Sequence, residues 1–184
     1  MRICTLLIAS VASGASLAAQ TAPQAAHDYV ASRKPELTQQ FETFLSIPNV
    51  AADPVGLKNN AEFLLGQLRQ RGVVGELLTA PGLGEGVAPV VWGEIRTPGA
   101  TRTVVLYAHY DGQPVTPAEW EGGKPFVPVV KTVNGEPYVY ARSAGDDKAA
   151  IFAQLTALSA LQAAKVPLKA NIRFVWEGEE ENYK

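Results

Sequence analysis

Between residues 103 and 176 an apolar run, a helical segment and a second apolar run follow in order, as "TVVLYAH", "DDKAAIFAQLTALSALQAAK" and "NIRFVW". Short runs rich in β-branched residues read as strands, whereas Ile151, Leu155, Leu158 and Leu161 recur at the spacing of one helix face. A helix between two buried strands is the connection that parallel strands require, because a tight turn cannot bring the second strand back in the same direction. The chain is therefore expected to be α/β, with at least one parallel strand pair.

The preceding residues add to that frame. Tyr29, Val30, Leu37, Phe41, Phe44 and Leu45 form an imperfect apolar stripe, predicting a helix from about Gln24 to Ser46 interrupted near Pro35. "IPNVAADP" breaks it, and a second helix follows through Leu57, Ala61, Leu64, Leu65 and Leu68, with Gly72 as its stop. "VVGELLT" and "APVVWGEI" then read as strands, and "KPFVPVVKTVNGEPYVYAR" reads as a hairpin turning at Asn134-Gly135. No internal repeat or long linker marks a second domain.

Residues 1–19 have a different character. An early Arg2, a short apolar core from Cys4 to Ala12, and small residues at Ser16, Ala18 and Ala19 form the pattern of a secretory signal peptide. This predicts a mature chain from about residue 20, with no membrane span after signal removal and a periplasmic or secreted location. The only cysteine, Cys4, falls inside the leader, so the mature protein would carry no disulfide. A formal charge of −2 without any Lys/Arg stripe argues against nucleic-acid binding.

Three stretches have residues suited to chemistry. In "VVLYAHYDGQP", His109 and Asp111 are two apart at a strand end, which puts both side chains on one side of an extended backbone. A carboxylate that holds one imidazole nitrogen fixes the tautomer and leaves the other nitrogen free to bind a metal, although a polar turn would explain the pair equally well. In "RSAGDDKAA", Asp146 or Asp147 suits a helix N-cap or a carboxylate bridging two cations, and Lys148 could offset part of the charge. In "FVWEGEEENYK", Glu177, Glu179, Glu180 and Glu181 crowd behind an apolar strand. Such carboxylates repel one another unless water or a cation compensates, so the cluster is either a solvated loop or part of a metal site.

In their order and spacing these stretches resemble the M20 family of metallopeptidases, the zinc dipeptidase, carboxypeptidase and aminoacylase group. "HYDGQP" is similar to the family's H-Y-D-V-Q-P region, "YARSAGDDKA" to its G-R-G-x-x-D-D-K-G stretch, and "WEGEEE" to its E-G-x-E-E motif. The resemblance runs from about Leu45 to Glu181. It implies a three-layer mixed sheet flanked by helices, the N-terminal portion (residues 20–184) of an incomplete zinc-exopeptidase-like catalytic domain. It also implies that a dinuclear zinc centre, with cobalt or manganese as other possible metals, hydrolyses the amide bond of a dipeptide or short peptide.

On this resemblance His109 is a ligand to one zinc ion, Asp146 the bridging carboxylate and Glu181 a ligand to the second ion. Asp111 orients His109, Glu180 is the general base, and Glu177 and Glu179 are supporting or solvated. Two departures stand out: Gly112 occupies the place of valine, and Ala141 and Ser143 replace the glycines flanking Arg142.

The family's further ligands, C-terminal half and dimerising lid have no counterpart in the 184 residues, so a homodimer is expected only if the lid exists. The short chain is expected to be inactive alone, with its last strand left as an unpaired edge. Alternatives are a non-catalytic metal- or partner-binding remnant, or an N-acyl amino acid hydrolase if a fuller chain exists.

Overall fold

The computed structural model describes residues 20–79, 82 and 86–182, so the expected leader at 1–19 lies outside the described residues. Helix α1 (Ala22–Leu45) starts with the Thr21 side chain accepting a bond from the Gln24 amide. Arg33 leaves helical geometry at φ −124°, two residues before Pro35, which has no N–H for the helix and crowds the preceding turn. Helix α2 (Pro54–Gln70) is capped by Asp53, whose carboxylate accepts from Gly56 N at 3.0 Å. Just beyond it, Gly72 takes φ +71°, the left-handed turn that ends many helices.

Strands β1 (Val74–Leu78), β2 (Val90–Ile95) and β3 (Thr103–His109) follow, then a hairpin of β4 (Val129–Val133) and β5 (Glu136–Tyr140). Both hairpin turn residues, Asn134 and Gly135, have positive φ, the geometry that a two-residue turn with the strands' own twist demands. Helix α3 (Lys148–Ala163) and strand β6 (Asn171–Glu177) complete the expected crossover, with β6 parallel to β3.

The four-stranded sheet has the order β1-β2-β6-β3, antiparallel except at the β6–β3 pair. The expectation that the last strand would form the open edge does not hold. β6 is paired on both sides, because the crossover inserts it between β2 and β3. The edges are instead β1 and β3, and on β3 Val104, Val105 and Tyr107 are about half exposed.

Val91, Ala108, Phe174 and Trp176 point to one face of this sheet and pack with Phe44 of α1, the Leu57–Leu68 stripe of α2, and Ile151, Leu155 and Leu158 of α3. The α/β mixed sheet flanked by helices is thus present. The described helices share one core with the sheet.

Lys148 does not do what its sequence position suggested. It is fully buried, and its Nζ donates to the carbonyls of Phe44 (2.9 Å) and Ile47 (2.8 Å) while lying over the Phe44 ring. Its charge therefore serves the open carbonyl end of α1 rather than the neighbouring aspartates. Replacing it with methionine removes both of these hydrogen bonds, and urea unfolding at pH 7 should show a loss of about 1–3 kcal/mol.

Burial pushes the Lys148 amine down to about 7, so between that value and the unfolded value the unfolded chain holds more protons. Native stability should then rise with pH across that window, by at most about 1.4 kcal/mol per pH unit, and fall away as pH drops through 7. The same titration of Lys148→Met should lack this slope.

Candidate metal centre

The site forms where β3 and β6 end side by side. His109 pairs in register with Glu177, so the residues that follow each strand emerge together from the same end of the sheet. Asp111, fully buried, holds both sides of this junction. One carboxylate oxygen lies 3.2 Å from His109 Nδ1, and the other accepts from the Glu181 backbone amide at 2.7 Å.

His109 is 6% exposed and has carboxylates on both of its nitrogens. With Asp111 on Nδ1, the Nε2 atom faces Asp146 Oδ1 at 3.0 Å and Glu180 Oε2 at 3.9 Å. A neutral imidazole has one N–H and can satisfy only one of these neighbours. The other nitrogen needs a second proton or a cation. Burial opposes charging of the ring, yet Asp111, Asp146, Asp147 and Glu180 outweigh it and hold the His109 pKa above its ordinary value. Burial likewise raises Asp111 against the lowering effect of the Glu181 amide and His109, and burial followed by the nearby Asp146 and Glu180 charges raises Glu181.

One ligand atom from each of His109, Glu180 and Glu181 lies within 4.8 Å of the other two. A divalent ion with bonds of about 2 Å to nitrogen and oxygen nearly spans such a group. Asp146 adjoins it through His109. Among the described residues no Lys or Arg pairs with these side chains, and the chemistry of the donor set, one imidazole among several carboxylates, suits a divalent cation. Glu180 and Asp146 are the exposed members, with side chains 47% and 79% accessible, whereas Glu181 is buried and accepts a bond from the Gln113 amide.

The remaining acidic residues have other partners. Glu177 accepts the Tyr107 hydroxyl at 2.5 Å, and Glu179 accepts from Ala88 N at 2.7 Å and from the Asn182 amide. Asp147 occupies the N-cap position of α3 but makes no capping bond, and its carboxylate instead accepts from His109 N at 3.4 Å. The Asp146–Asp147 peptide bond is cis.

Sequence reasoning missed Gln113, Asn49 and the role of Gly178. A Cβ at Gly178 would lie 2.5 Å from the ring of buried Tyr110, whose hydroxyl donates to the Pro89 carbonyl. Only the small side chain lets the turn carrying Glu179–Glu181 close over that ring. Gly178→Ala should lower stability by about 1–3 kcal/mol in chemical denaturation, and a restoring Tyr110→Leu change should recover part of it.

Residues 105–184 match the family model described as Peptidase family M20/M25/M40. The chain is 26% identical over 164 residues to the Cys-Gly metallodipeptidase dug1 of Schizosaccharomyces pombe, covering 84% of this chain and 34% of that protein. It is 34% identical over 95 residues to the Beta-Ala-His dipeptidase of Homo sapiens, covering 52% of this chain and 18% of the relative. Its fold matches the structure of the dipeptidase Dug1p from Saccharomyces cerevisiae with a TM-score of 0.75 at 23% identity, over 86% of this chain and 35% of the other. The chain thus spans about a third or less of the length of these relatives.

Proposed function

We propose that this chain, which is related to the M20 family metallopeptidases over part of their catalytic domain, contributes to metal-dependent hydrolysis of the amide bond of dipeptides or short peptides. Support comes chiefly from one observation, the His109 ring held by Asp111 on one nitrogen and facing Asp146 and Glu180 with the other.

His109, Asp146 and Glu181 would hold two divalent ions, zinc foremost. Bound there, the ions would supply Lewis acidity, polarising the scissile carbonyl and lowering the pKa of water. With metal bound, Asp111 would accept a hydrogen bond from Nδ1–H and so keep the Nε2 lone pair directed outward. Glu180, exposed beside His109, would take the proton of the attacking water and pass it to the leaving amine. Gln113 holds the Glu181 carboxylate in place.

Among the described residues His109, Asp146 and Glu181 are fewer ligands than two tetrahedral sites take, which favours a second reading in which this span binds metal without turning substrate over. Zinc titration of the purified chain, together with a dipeptide panel assayed with and without metal, separates the two. Metal-dependent cleavage supports the hydrolase, binding without cleavage supports the second reading, and no zinc binding rejects both. The leader pattern further supports export to the periplasm or medium. N-terminal sequencing of protein recovered from the periplasm or medium should then begin near Gln20, and protein found only inside the cell with Met1 intact would reject that location.

A further inference from the structure

We propose that Gly112 and Ser143 are a mutually compensating pair that, with Asn49, sets the distance between the two carboxylates flanking His109. The two positions lie in separate motifs, yet a Cβ built on Gly112 would sit 2.5 Å from Ser143 Oγ. That oxygen is not free to move aside. Ser143 is 4% exposed, at φ +62°, and its hydroxyl accepts a bond from Asn49 Nδ2 at 2.9 Å.

Asn49, fully buried, is the hub. Its Nδ2 also donates to the Tyr110 carbonyl at 2.7 Å, its own carbonyl accepts from Gly112 N at 2.8 Å, and Ala51 N returns a bond to the Gly112 carbonyl at 3.0 Å. These bonds grip the backbone on both sides of Asp111, which holds His109 Nδ1. The Ser143 contact ties the same knot to the turn that carries Asp146, which faces His109 Nε2.

The closest contact that a side chain at 112 would meet is the serine hydroxyl, which a glycine at 143 would remove, leaving Asn49 Nδ2 at 3.2 Å and Arg142 Cδ at 3.3 Å as the remaining tight neighbours. Asn49, Gly112 and Ser143 are positioning residues in this account and touch neither metal nor substrate.

The inference rests on the metal reading above, and its test is a double-mutant cycle on the full chain with two readouts, zinc affinity by competition with a chromophoric chelator and thermal unfolding without metal. Gly112→Val should weaken zinc binding by about tenfold or more, the scale of an outer-shell loss. Ser143→Gly alone should change it little, and adding it to Gly112→Val should restore affinity to within about threefold. Gly112→Ala, with and without Ser143→Gly, provides the same cycle should the valine variant fail to fold.

A double variant no better than Gly112→Val overturns the pairing. Recovery of the unfolding midpoint without recovery of zinc affinity overturns the positioning role and leaves only a packing contact. If the unmodified chain binds no zinc, the metal reading fails instead. The pairing is then judged by midpoints alone, with recovery supporting it and additive losses rejecting it.

Discussion

His109→Ala should weaken zinc binding by more than about 100-fold, beyond the loss usual for a partner that only orients a ligand. The substitution removes the single nitrogen donor and leaves Asp111, Asp146, Glu180 and Glu181 facing one another. Asp111→Asn keeps the ring and weakens its support, so its loss should be smaller, about 10–100-fold. Equal losses in the two variants would show that the imidazole is not itself a ligand.

The metal-free protein offers an independent check. The neighbouring carboxylates raise the folded pKa of His109 against the opposing effect of burial, so the charged ring stabilises the fold most fully below its unfolded value. That contribution is lost as pH rises through the folded pKa. Denaturation of metal-free protein should therefore show the largest gap between the unmodified chain and His109→Ala on the acid side of about pH 6.5, narrowing toward alkaline pH.

Glu180→Gln should separate binding from chemistry. The amide keeps an oxygen that can reach a cation but cannot accept a proton, so in a hydrolytically active form of the protein kcat should fall by about 10²–10⁴. Zinc affinity should fall far less than in His109→Ala, because Glu181 and His109 remain. The comparison with Glu179→Gln is informative, since Glu179 is committed to the Ala88 amide and to Asn182. That variant should lose stability with no comparable fall in kcat of the folded fraction. A reversal of the two results would move the base to Glu179.

The contrast between these adjacent glutamates shows where sequence reading ends. Chain-local physics made the elements legible. The leucine stripe of α2, the Asn134-Gly135 turn and the strand–helix–strand order each depend on residues a few positions apart, and all three are present. The H-x-D spacing likewise placed His109 and Asp111 on one side, as their 3.2 Å contact shows.

Lys148 and β6 illustrate the opposite case. A lysine after two aspartates reads as their counter-ion, but its partners are carbonyls 101 and 104 residues away. A strand last in sequence reads as an edge, but the crossover places it in the middle of the sheet. By itself the sequence determined the helices, strands, turns and acidic motifs, because each follows from spacing along a few residues. Only the tertiary structure decided which carboxylates share the His109 ring and which brace the backbone, because register and crossover direction bring together groups that lie tens of residues apart.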